Sequence, residues 1–206
     1  VVRSTFSKSL AVAIAFGLLT AAPAAAALGL HEHQVAGGGP AAVPPAPPGS
    51  ALVAPQAACP DQERLDAPAA AQEATMECMV DFARAQAGLG ALTRTEVLHQ
   101  SALEKSADIL RCDSFSHFAC GREFSYWIKA AGYTSTPCWR IGENLAWGDG
   151  EYGSVRSTFL AWMRSPTHRE NILGDYEESG VGLRVGTLGG EAGTRVWAQH
   201  FGSHCG

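Results

Sequence analysis

Eight of the eleven prolines fall between Pro40 and Pro68, alongside the run GGGPAAVPPAPPG, and no compact core can be built from such a stretch. From Val35 to about Ala71 large apolar side chains are almost absent. Burial there offers nothing to offset the entropy of ordering the chain, so an extended, polyproline-prone spacer is expected. The sequence is thereby cut in three. Residues 1–27 form an apolar leader, 28–71 a disordered linker, and 72–206 the one stretch able to fold. No internal repeat is visible.

The leader reads as a secretory signal peptide. Arg3 and Lys8 supply a positive start, Leu10 to Ala22 an apolar middle, and Pro23 with Ala24 to Ala27 a small-residue cleavage region. An uncleaved anchor is the alternative, because no charge appears from Ser9 to Leu30. The proline and the alanines favour cleavage, so the expectation is a secreted or envelope-associated protein without a permanent membrane anchor. The net charge of −5 leaves no basic surplus to neutralise phosphates, which argues against nucleic acid as a partner.

Export changes the meaning of the six cysteines. In an oxidising compartment an even count suggests three disulfides, and no C-x-x-C pair points to a metal knuckle. Spacing suggests Cys112 with Cys120, Cys59 with Cys78, and Cys138 with Cys205.

Within 72–206 the helical period comes first. Met76, Val80, Ala83 and Ala87 share one stripe, ended by Gly88 and Gly90. Thr93 to Glu96 matches a capping box, opening a second helix with Leu103, Ala107 and Leu110 on one face. A third helix is expected around Phe124 to Ala131 and a fourth from Ser154 to Arg164, ending at Ser165-Pro166. The period then becomes two. Val181, Leu183 and Val185 alternate with smaller or polar residues, and Arg195 to Phe201 is rich in strand formers, with a glycine-rich loop from Gly186 to Gly193 between them. Helices followed by a late hairpin predict an α+β fold, a small antiparallel sheet covered by helices.

Three short stretches stand out: Phe115-Ser116-His117, Ile141-Gly142-Glu143-Asn144-Leu145-Ala146-Trp147, and Ser165-Pro166-Thr167-His168-Arg169-Glu170-Asn171-Ile172-Leu173. With the closing Val196-Trp197-Ala198-Gln199-His200-Phe201-Gly202 they resemble, in order and spacing, the CAP (SCP, cysteine-rich secretory protein) superfamily in its bacterial form. The resemblance covers about Gln72 to Gly202. It implies a three-layer α-β-α sandwich with a central cavity, usually in a secreted protein and here expected as a monomer.

Chemistry alone marks Glu143. Ile141, Leu145 and Trp147 share its parity, so an extended run places the carboxylate on an apolar face, where it needs a partner. His117 is the natural one, and the two side chains are expected to converge directly or through one water. Such a pair serves acid–base chemistry or part of a metal site, and equally a purely structural lock around Gly142. The resemblance also implies a tetrad of two histidines and two glutamates, and His117 and Glu143 match one of each. The second glutamate falls at Ser165 and the second histidine at Val196, so a zinc site with His117 as its first ligand is short of donors. No cofactor is therefore expected, with a divalent metal such as zinc as the alternative.

His168, Asn171, Asn144 and Gln199 read as structural members of the motifs, while His200 is left facing either core or solvent. His31, His33, His99 and His204 read as solvated, and the five tryptophans as core. There is no G-x-S-x-G, no H-E-x-x-H and no cysteine left to act as nucleophile. Ser116 and His117, as neighbours on an extended segment, point to opposite faces. The function expected is a non-catalytic binding module for a small apolar or envelope ligand (lipid, glycan or peptide). A hydrolase built on His117 and Glu143, or a structural envelope protein, are the alternatives.

Overall fold

The computed structural model describes residues 51–204. The leader, the linker up to residue 50, His31, His33 and Cys205 lie outside the described residues. The elements run α1 (Ala69–Gln86), β1 (Thr93–Arg94), α2 (Glu96–Arg111), α3 (Tyr126–Ala130), β2 (Trp139–Gly148), α4 (Val155–Arg164), α5 (Pro166–Ile172), β3 (Glu178–Leu188) and β4 (Glu191–His204), with three short 3-10 turns between them.

The strands form one sheet in the order β1-β3-β4-β2. β2, β3 and β4 are antiparallel, while the two residues of β1 pair in parallel with β3, so the sheet is mixed rather than wholly antiparallel. β3 and β4 extend to a tight turn at Gly189-Gly190, whose φ of 60° and 88° suit glycine. The hairpin loop is thus much shorter than the expected Gly186–Gly193 span.

Side chains alternate across the sheet. On one face Leu145, Val196 and Ala198 pack against Ala102 and Ile109 of α2. On the other, Val181, Leu183, Trp197 and Phe201 meet Met76, Met79 and Val80 of α1, Phe159 and Trp162 of α4, and Ile172 of α5. This is the three-layer α-β-α sandwich. α2 lies directly on β3, because a side chain at Gly180 or Gly182 would collide with the helix backbone at His99 or Leu103.

Several local expectations change. The stretch 51–68, read as the end of the linker, is packed: Leu52, Ala54 and Cys59 belong to the main core, and Gln62 donates to Ala54 O and Cys59 O. The physical reason is the Cys59–Cys78 disulfide, which ties this proline-rich segment to α1, with a few apolar side chains filling the groove. Cys112 pairs with Cys120. Cys138 is disulfide-bonded too, but its expected partner Cys205 is outside the described residues. The second helix is capped by Thr95, whose side chain accepts from Leu98 N, because Thr93 and Arg94 are taken by strand β1. α3 is only five residues long. α4 ends at Arg164 before Ser165-Pro166 as expected, and Pro166 also opens α5, where its missing N–H costs nothing.

Two histidines and three tryptophans also differ, Trp127 and Trp139 being only partly buried. His99 is buried, its Nδ1 2.7 Å from Val181 O, and His204 stacks on Tyr133 with ring centroids 4.4 Å apart. Trp147, near the end of β2, is about half exposed.

Arg84, at the end of α1, is buried and donates to four carbonyls: Gly90, Ile172, Gly174 and Tyr176. It fastens the segment after α5 to α1. Burial lowers the pKa of its guanidinium, and an arginine still keeps its charge.

Candidate functional site

Three elements and one loop deliver the polar cluster under α2. Ser101 and Lys105 stand four residues apart on that helix and share its sheet-facing side. Glu143 of β2 and His200 of β4 are direct partners in the strand pairing. His117 comes from the loop after α2, which the Cys112–Cys120 disulfide closes.

Glu143 is the hub, with its side chain 1% exposed. Oε1 lies 2.6 Å from His117 Nδ1, and Oε2 lies 2.8 Å from His200 Nε2. Lys105 Nζ is 3.9 Å from Oε1 and donates to the carbonyl of His117 at 2.6 Å. Burial alone would raise the carboxyl pKa. The hydrogen bonds from His117 and His200 and the charge of Lys105 outweigh it and hold Glu143 below the ordinary 4.5. Lys105 itself is pushed below 10.5 by burial, against the attraction of Glu143.

Ser101 Oγ donates to Leu98 O at 2.8 Å and lies 2.7 Å from His200 Nδ1, while His200 Nε2 faces Glu143 from the other side of the ring. His117 donates to the carboxylate through Nδ1. Glu143 is closed off from a ligand by burial, and each of its oxygens already has a hydrogen-bond partner. His117, its side chain 31% exposed, is the outward-facing member.

α5 lines the free edge of β2. Asn171 Nδ2 donates to Glu143 O and to Asn144 Oδ1, Asn144 Nδ2 donates to His168 O, and Trp162 Nε1 of α4 donates to Leu145 O. The bonds to Glu143 O and Leu145 O satisfy strand carbonyls that would otherwise be left open at a sheet edge. His168 is buried, and its Nδ1 has no partner. Burial, with a smaller contribution from the charge of His117, pushes its pKa down to about 4, so it is neutral near pH 7.

The structure therefore brings His117 and Glu143 into direct contact and adds three residues that the sequence reading did not assign: His200, Ser101 and Lys105. Lys105 had a signal. Leu98, Ala102, Lys105 and Ile109 repeat at helical spacing, and all four are buried, which puts the lysine in the middle of the apolar stripe. Val196 packs among Leu145 and Ala198. Gln199 is fully buried on the opposite face from His200, with both amide atoms unpartnered. Ser165 starts α5, its hydroxyl 3.2 Å from that of Thr167.

A metal does not suit this donor set. It would need unprotonated, uncommitted ligands, whereas each Glu143 oxygen is already bonded to a histidine and an ammonium stands beside it. Among the described residues no group of three or more His, Cys, Asp or Glu is placed to hold one. Hollows of about 550 and 310 Å³ lie along Gly121–Ala130 and around Tyr133 and His204, and neither is lined by His117 or Glu143.

A family model described as the cysteine-rich secretory protein family, CAP, matches residues 79–201. Among solved structures the chain is similar to an outer surface protein of Borrelia burgdorferi, with 17% identity and a TM-score of 0.55, over 68% of this chain and 97% of that one. It is also similar to an extracellular protein containing an SCP domain from Bacillus anthracis, with 18% identity and a TM-score of 0.51, over 63% of this chain and 39% of that one. Both likenesses are of fold. No curated protein matches the sequence.

Proposed function

From the premise that this chain belongs to the cysteine-rich secretory protein (CAP) family, we propose that it is a secreted, non-catalytic binding module for an amphipathic ligand of the cell envelope or its surroundings. The observation that carries this reading is the unpartnered, buried Nδ1 of His168, in a site whose carboxylate is already bonded at both oxygens. A buried polar atom left unpaired is costly, and a ligand hydroxyl or amide would satisfy it. His117 presents a second imidazole edge. Phe118, about half exposed beside it, and the edge-on pair Phe115 and Trp147 supply apolar surface. A lipid headgroup region, a glycan or a peptide side chain has the matching combination of polar and apolar faces. Disulfides among the described residues agree with work in an oxidising compartment.

The test is native mass spectrometry of the exported protein. A retained small molecule is expected in the wild type and is expected to be lost in His168→Leu and in Phe118→Ser. Equal retention by both variants would contradict the site.

A hydrolase is the second reading, favoured by one observation: Glu143 orients Nδ1 of His117 and leaves Nε2 as a base. Water would be its nucleophile. Turnover of envelope material that vanishes in His117→Ala would establish this reading instead.

A further inference from the structure

We infer that the ammonium of Lys105 serves as the built-in cation of this site, taking the electrostatic place that a metal ion would fill. Lys105 is 1% exposed and sits on the apolar stripe of α2, where a charge is tolerated only beside a counter-charge. Glu143 is the carboxylate that faces it, at 3.9 Å. Asp108, one turn further along α2, is already neutralised: Arg122 Nη1 reaches both of its oxygens at 2.9 Å, Arg111 pairs with it, and Trp127 Nε1 donates to it. Lys105 and Glu143 thus form a buried pair of opposite charges.

The same ammonium does a second job. Its 2.6 Å bond to the carbonyl of His117 pins the disulfide loop, so one cation both holds the carboxylate ionised and orients the imidazole that donates to it. Lys105 is thus a positioning residue acting on His117 through backbone and charge. The inference concerns how the site is balanced, and it stands whatever ligand the protein binds.

The experiment compares thermal unfolding of the full-length wild type, Lys105→Met, and Lys105→Met combined with Glu143→Gln, each with a chelator and with added zinc. The wild-type midpoint is expected to be the same in both solutions. Lys105→Met strands a buried carboxylate and should melt lower by about 10 °C or fail to fold. Adding Glu143→Gln removes the stranded charge and should recover at least half of that loss, or restore folding. A wild-type midpoint raised by zinc would overturn the inference. So would a double variant no better than Lys105→Met, because the lysine would then matter for packing alone.

Discussion

Glu143 and His200, 57 residues apart, face each other across the β2–β4 pairing and share a 2.8 Å hydrogen bond. The bond exists because the tight turn at Gly189-Gly190 and the pairing of β4 with both neighbours fix its register. A slip of one residue would turn His200 to the other face of the sheet and leave the carboxylate facing a void.

The first prediction concerns that carboxylate. Glu143→Gln keeps the shape but strands Lys105, and it will lower unfolding free energy at pH 7 by about 3–5 kcal/mol. The native carboxyl sits below 4.5, so its contribution is present above that value and is lost as pH falls through the native one. Denaturant unfolding should therefore show a gap that is full at neutral pH and closes in acid. A gap of the same size at pH 3 would contradict the assignment.

His168 gives the opposite kind of limb. Its native pKa is about 4 against an ordinary 6.5, so the unfolded chain binds its proton first. Stability will fall by about 3 kcal/mol as pH drops from 6.5 to below 4, at about 1.4 kcal/mol per unit. In His168→Leu that portion of the acid limb should vanish. An acid limb unchanged by the substitution would place the titration elsewhere.

Leu52 tests the packed segment ahead of α1. It is 1% exposed within the main core, so Leu52→Ala should cost about 2–5 kcal/mol in chemical denaturation. A loss under about 0.5 kcal/mol, as expected for a surface site, would return residues 51–68 to the linker.

The amphipathic patterns of α1 and α4 and the parity of Glu143 were readable in the sequence, because period and burial agree there. The order of the motifs carried the fold class. What could not be read depends on contacts distant along the chain. The packing of Leu52 needs the Cys59–Cys78 bond, and its local composition argues the other way. His200 lies in a strand whose two faces are both buried, so alternation alone does not say which face is polar. Lys105 breaks the rule that lysines face water, and its justification sits on β2, 38 positions further along the chain. Arg84 is similar, since its carbonyl partners belong mostly to the segment after α5.

The central claim is that a buried Glu143 stays ionised because His117, His200 and Lys105 satisfy it. The direct measurement is a carbon-13 NMR titration of the Glu143 side-chain carboxyl in the wild type. A carboxylate signal is expected that persists as pH is lowered past 4.5, titrating only below the ordinary carboxyl value. A midpoint above 4.5 would contradict it, for burial would then have won over the two histidine donors and the nearby ammonium.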